Sequence, residues 1–438
     1  MSVIQKTYPI IHPLRNVEFN SEKYLTITEG DGIYVKDSNG KTYVDAMSGL
    51  WNVSLGYKNK VIDEAVIQQL GKVPFVNMVK HTNPTTVKFA DLLIDLMPKP
   101  LTRLLFTCTG SESVELAIKL SRQYFYMKGY TNKNKIFALS LSYHGTYYAS
   151  MSVSGIDQQL TQGYSPRVAG IEFLDTPYQA NREGRAQHLQ EKLKELELIF
   201  EQQADSMAAV IIEPIIGSAG IIPLPTAYVK KLKQLCETYD VLLIFDEVAT
   251  GFGRTGYLFD FQRIGVIPDI LCLSKGINNG YIPLGATVIS DKIAQQYITS
   301  QMHFEHLSTQ NGNPLACAAG IATLEVLSNS DYLNAIQNKG AYLTEMLQKA
   351  LSTLDIVYEV RGHGLMVGIE LRAKDTQSEM LDSASLQAIM DALKNRGLLA
   401  YPFKTEYTSG FSLFLPYVIN LEEINHVVKI IENVLKRY

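Results

Sequence analysis

Lys275 stands two residues past an apolar run, Ile270-Leu271-Cys272-Leu273, and opens the glycine-bearing stretch Gly276-Ile277-Asn278-Asn279-Gly280. An amine at the end of a buried strand, followed by a flexible stretch, is a candidate covalent catalyst. Upstream, Val241-Leu242-Leu243-Ile244-Phe245 ends in Asp246-Glu247, and side chains at the ends of parallel strands converge on one edge of a sheet. An amine and a carboxylate placed in this way meet the needs of pyridoxal phosphate. The amine forms a Schiff base with its aldehyde, and the carboxylate keeps the ring nitrogen protonated so that the ring accepts electrons. Lys275 and Asp246 are therefore the candidate catalytic residues.

Such a cofactor also needs an anion site and a ring site. Thr107-Cys108-Thr109-Gly110-Ser111-Glu112 leads into a segment with Val114, Ala117, Ile118 and Phe125 at helical spacing. The amides of Gly110 and Ser111 and the hydroxyls of Thr109 and Ser111 can bind a phosphate at the positive end of that helix. A capping box between Thr109 and Glu112 is the alternative use of the same residues. Tyr143-His144-Gly145 follows a short strand, Ile136 to Leu139, so Tyr143 can stack on a flat heterocycle; with 25 tyrosines in the chain, plain packing is the competing role.

Two further patterns are set aside. Gly251-Phe252-Gly253-Arg254-Thr255-Gly256 matches G-x-G-x-x-G, but Asp246 and Glu247 intervene after the strand and Tyr257 to Phe261 does not start the helix that a dinucleotide needs. His303-Phe304-Glu305-His306 lacks an H-E-x-x-H pattern or clustered carboxylates, so no metal site is expected and these histidines read as surface or interface residues.

The elements that must position these residues recur along the middle of the chain. Leu104 to Phe106, Ile136 to Leu139, Ala208 to Ile212, Val241 to Phe245, Ile270 to Leu273 and Ala286 to Ile289 are short apolar runs separated by helical patterns. Non-alternating strands between helices predict an α/β fold with a mainly parallel sheet covered on both faces. The large domain is expected over residues 61–322. A hairpin turning at Asn39-Gly40 within residues 1–60, and mixed helices and strands over 323–438, are expected to form a smaller α+β domain from both chain ends.

Composition narrows the setting. The 438 residues are 46% hydrophobic, enough for a large core, and 40 basic against 44 acidic residues leave a net charge of −4. No run of one charge suggests nucleic acid or an anionic membrane as a partner. No apolar run is long enough to span a bilayer, the first residues lack a signal-peptide pattern, and four scattered cysteines without a C-x-x-C pair suit a reducing compartment. The expectation is a cytoplasmic enzyme.

Thr109-Gly110-Ser111-Glu112, Tyr143-His144-Gly145, Glu213-Pro214, Asp246-Glu247-Val248 with Gly251 to Gly256, and Pro268-Asp269 through Ser274-Lys275-Gly276 together closely resemble the class III aminotransferases, which are fold-type I pyridoxal-phosphate enzymes. The resemblance runs from Asp45 to Pro416. It implies that Lys275 forms the Schiff base, that Asp246 pairs with the ring nitrogen, that Tyr143 and Val248 cover the two ring faces, and that Glu213 belongs to the cofactor site. Thr309, five residues before Pro314, matches a threonine that reaches the phosphate in the neighbouring subunit, which implies a homodimer. Gly49-Leu50-Trp51-Asn52-Val53 and Pro74-Phe75 are similar to pocket segments of the ω-transaminases, so Trp51 and Phe75 are expected at the substrate, with a core role as the alternative for Trp51.

The sequence departs from that pattern at several positions. Ser218 and Ser412 stand where many ω-amino acid enzymes carry a gating glutamate and an arginine, Ala249 stands where some relatives have a glutamine, and Tyr401-Pro402-Phe403-Lys404 occupies the segment of a mobile arginine. Lys404 is thus the candidate to meet a substrate carboxylate, with a solvated surface lysine as its alternative. The implied reaction is transfer of an amino group from a primary amine or ω-amino compound to a keto acid or aldehyde. An aminomutase or racemase on the same scaffold is the rival, because the same cofactor residues serve either reaction. A non-catalytic binding module is disfavoured by the presence of both Lys275 and Asp246.

Overall fold

A computed structural model describes residues 9–14, 24–156, 158–179, 181–373 and 379–438. Its centre is a seven-stranded sheet in the order 101–107, 285–290, 270–273, 242–246, 207–212, 135–139, 171–174. All neighbours run parallel except Gly285–Ser290, which is antiparallel to both strands beside it. Every residue of Met207–Ile212, Leu242–Asp246 and Ile270–Leu273 is buried. Strands covered on both faces need apolar residues on both, which is why these runs do not alternate.

The helix Gly110–Met127 covers one face, packing Val114, Ala117, Ile118 and Phe125 against Ile136, Ile244 and Ile270. Because the strands that carry Asp246 and Lys275 are parallel neighbours, with Asp246 paired to Cys272, their carboxyl ends open on the same edge.

The chain ends meet in two smaller sheets. Ile27–Asp31, Tyr34–Asp37 and Thr42–Asp45 form a meander that Leu398–Leu399 joins in parallel beside Val44 and Asp45. The turn between its second and third strands contains Asn39-Gly40, with Gly40 at φ +82°. Val357–His363, Met366–Leu371, Ser409–Phe414 and Tyr401–Lys404 form an antiparallel sheet in that spatial order. The carbonyl of Phe414 accepts a hydrogen bond from Ser48, so the two terminal regions are joined beside the Trp51 segment.

Candidate active site

The carboxyl edge of the central sheet opens into a cavity of about 160 Å³. Its lining brings together Trp51, Thr109, Gly110, Ser111, Tyr143, Glu213, Asp246, Val248 and Lys275, all singled out by the sequence, with His144, Gly145, Ala249 and Ser274.

Lys275 does not open a loose stretch, as its glycine-rich context suggested; Lys275–Asn278 is a compact 3₁₀ turn whose last three residues are buried. The lysine backbone lies at φ +45°, a left-handed conformation that costs a residue with a β-carbon roughly 1–3 kcal/mol. Its Nζ is 4.3 Å from the centroid of the Trp51 ring. Burial pushes the amine down to about 8, against the attraction of Asp246 and Glu213 and with the help of Arg254. An amine in that range is a nucleophile and a base near neutral pH.

Asp246 is buried at the end of its strand. Its Oδ1 accepts from the Val248 amide at 3.0 Å, and its Oδ2 lies 2.8 Å from His144 Nδ1. An ionised carboxylate only accepts, so the Nδ1 proton of His144 donates to it. The other imidazole nitrogen, Nε2, is buried and has no hydrogen-bond partner among the described residues. His144 has no role in the sequence reading, although its motif was noted. The available signal was a histidine in a strand-end turn on the same edge as a candidate catalytic carboxylate, since carboxylate and imidazole commonly orient one another at such sites.

Glu213 closes the cavity beside these groups. Its Oε1 accepts from the Tyr143 amide at 2.9 Å and its Oε2 from the Gly217 amide at 3.0 Å, which fixes the backbone that carries the Tyr143 ring. Burial pushes its carboxyl up to about 7; Asp246 adds to the rise and His144 and the two amides oppose it.

Thr109 caps the helix Gly110–Met127 by accepting from the Glu112 amide at 3.1 Å. The cap and the cavity are therefore not alternatives, because the capped N-terminus faces into the cavity. Ser111 Oγ accepts from the Thr146 amide at 3.2 Å. A β-carbon on Gly110 would lie 2.7 Å from a Val248 methyl, so only glycine lets this turn pass so close to the opposite wall.

Three predicted residues lie elsewhere. Thr309 is exposed and does not line the cavity of its own chain. Phe75 is also exposed and outside the lining. Lys404 also lies outside the lining: its Nζ donates to Ser383 Oγ at 2.9 Å on an exposed surface. Strand alternation explains this, because Tyr401, on the same strand, packs edge-on to Trp51 at 5.3 Å, and residues three apart point to opposite faces. Ser412 is buried and donates to the Tyr401 carbonyl at 3.3 Å.

The sequence pattern of the family Aminotransferase class-III matches residues 17–435. The chain belongs to the class III aminotransferases. Among its relatives, the adenosylmethionine-8-amino-7-oxononanoate aminotransferase of Aquifex aeolicus is 34% identical over 97% of this chain and 95% of its own. The taurine–pyruvate aminotransferase of Bilophila wadsworthia is 33% identical over 90% and 87%. An (S)-enantioselective ω-transaminase from Thermomicrobium roseum superposes with a TM-score of 0.90 at 33% identity, covering 98% of this chain and 96% of that one.

The aminotransferase therefore carries out transamination that depends on pyridoxal 5′-phosphate. The cavity fits that cofactor on three counts: a carboxylate oriented by a histidine for the ring nitrogen, an amine of lowered basicity for the aldehyde, and a capped helix N-terminus for the phosphate.

Proposed function

We propose that this aminotransferase takes its amino group from a primary amine or ω-amino compound whose substituents are uncharged near the reacting carbon, and passes it to a keto acid or aldehyde. The observation that carries this reading is the cavity lining: among the described residues Lys275 is the one lysine or arginine that lines it, while Trp51 forms an aromatic wall backed by Phe414 stacked at 4.1 Å. A carboxylate on the donor would meet no fixed guanidinium there.

When bound, the cofactor supplies an electron sink for the carbon that loses its proton. Lys275 would hold the cofactor and, as the amine nearest the reacting carbon, would move the proton there. Asp246, aligned by His144, would hold the ring nitrogen protonated; Tyr143 and Val248 would cover the ring faces; Thr109, Gly110 and Ser111 would take the phosphate; Glu213 fixes the turn that bears Tyr143. Trp51 walls the substrate space.

We also assign a homodimer in which Thr309 reaches the partner subunit's phosphate site. The support is exposed apolar surface beside the segment that carries it: Phe304 and Leu307 are exposed, and a groove of about 520 Å³ is lined by Met78, Val87, Phe106 and Phe304 together with His306 and Asn311, which flank Thr309 in the chain. Exposed apolar area of this kind calls for a covering surface, and Phe75 lies in the same region of sequence. No helix among the described residues is long and apolar enough to cross a membrane, and four free cysteines suit the cytoplasm.

A donor panel of uncharged primary amines, ω-amino acids and α-amino acids, with pyruvate, 2-oxoglutarate and an aldehyde as acceptors, tests the reading. Each equivalent of donor consumed should yield one new carbonyl compound, with uncharged amines among the better donors. Turnover confined to α-amino acids would overturn it.

A further inference from the structure

From Gln301 to Asn313 the chain forms neither helix nor strand, yet it follows a fixed course along the helix Gly110–Met127. Three side chains from one flank of that helix hold it. Gln123 Nε2 donates to the His303 carbonyl at 2.8 Å, and Lys119 donates to the Glu305 carbonyl. Glu112 makes the densest contact: its Oε1 accepts from Ser308 Oγ at 2.7 Å and from His306 Nε2 at 3.0 Å, while its Oε2 accepts from the Cys108 amide at 2.8 Å.

Glu112 is only 4% exposed. Burial would raise its carboxyl, but the bonds from His306, the Cys108 amide and Ser308 outweigh burial and hold it below the usual carboxylate range. It therefore stays an acceptor for all three donors at neutral pH. Ser308 immediately precedes Thr309. A first-turn residue of one subunit's phosphate helix thus also fixes the segment offered to the other subunit.

We propose that Glu112 is a positioning residue for the partner subunit's cofactor: it ties the 303–308 strap to its own phosphate helix and so sets Thr309 where the neighbouring site requires it. This rests on the reading of Thr309 as a cross-subunit contact. Without the tie, the residues around Thr309 regain backbone freedom that binding the phosphate must then remove.

Heterodimers separate the two roles of Glu112. Two differently tagged copies are combined, one carrying Lys275→Ala, so that a single lysine-linked cofactor reports from the other copy. Its release is followed by absorbance after dilution into inorganic phosphate. Glu112→Gln places an NH₂ group against the donors that now converge on the carboxylate. On the Lys275→Ala copy, whose strap serves the loaded site, it should speed release about tenfold, the order expected for one lost hydrogen bond to a charged group. On the loaded copy the effect should be clearly smaller. His306→Ala on the Lys275→Ala copy should act in the same direction more weakly, and His306→Gln, whose side-chain amide still donates, should restore slow release. Faster release only when the substitution sits on the loaded copy, with none from the Lys275→Ala copy, would show that Glu112 serves only its own helix. Thr309→Val on the Lys275→Ala copy checks the underlying reading independently: if it does not speed release, the cross-subunit contact is wrong, whereas if it does and Glu112→Gln does not, the tie alone is wrong.

Discussion

The base and the mouth of the cavity are built by different means. At the base, Asp246, Glu213 and Lys275 sit at or just past the ends of neighbouring buried strands, so their positions follow from the register of the central sheet. At the mouth, Trp51 comes from an irregular segment with Ser48 at φ +48°, Gly49 at +69° and Trp51 at +66°, and it is held by Phe414 and Tyr401 from a separate sheet. The base gains precision from one rigid element. The mouth depends on contacts between elements far apart in the chain, so its shape can change without disturbing the chemistry beneath.

If that division is right, substitutions at the base should affect the chemistry and those at the mouth the choice of substrate. The largest effect is expected from Lys275→Ala, which removes both the attachment and the base. Turnover should fall by at least about a thousandfold, the upper range of general acid–base contributions, and the near-visible band of the lysine-linked cofactor should vanish. Near-normal turnover would remove Lys275 from the chemistry. The same residue sets a pH dependence. With its amine lowered to about 8, the neutral nucleophilic fraction grows as pH rises, so capture of free cofactor by the apoprotein should speed up about tenfold per unit below pH 8 and level off above it, instead of near 10.4 as for an ordinary lysine. Stopped-flow absorbance across that range would check the turning point.

Asp246→Asn ranks next. An amide cannot hold the ring nitrogen protonated, so kcat should fall by about 100-fold to 1000-fold, the size of losing one preorganised electrostatic contact, with cofactor largely retained in equilibrium dialysis. Unchanged rates in both half-reactions would refute the role. His144→Ala should cost about tenfold, since it removes a group that orients the reacting one, and the double variant with Asp246→Asn should lose much less than the product of the single losses. Full multiplicative losses would mean that His144 acts independently of Asp246.

The same contrast decides what could be read from the sequence. The base was legible because a parallel strand is a continuous apolar run and the first polar residues past it share an edge, which placed Asp246 and Lys275 together before any coordinates. The Asn39-Gly40 hairpin was legible through its turn residues. The edge strand Ile171–Leu174 escaped because only Leu174 is buried and Glu172 pairs with Lys135 at its rim, leaving neither an apolar run nor alternation to detect. His144 was hidden by its neighbour Tyr143, whose ring drew the argument. The path of residues 301–313 carries no periodicity at all, since it is set by hydrogen bonds to Glu112, Lys119 and Gln123 of a distant helix.

Lys404 gives the smallest expected effect and the sharpest check on the mouth. Its neighbourhood in sequence suggested a cation for the acceptor's carboxylate; with Tyr401 turned to Trp51, Lys404 emerges on the opposite face of the strand Tyr401–Lys404 and binds Ser383. An exposed lysine bonded to a surface hydroxyl contributes on the order of 0–1 kcal/mol even as an ion pair. Lys404→Ala should therefore leave KM for both the amine donor and the keto acid within about twofold, equivalent to roughly 0.4 kcal/mol. A selective rise in KM for keto acids, with the amine unaffected, would show that the mouth reorganises on binding and brings this strand edge to the substrate. The division between a fixed base and an adjustable mouth would then extend across the whole of the 401–404 strand.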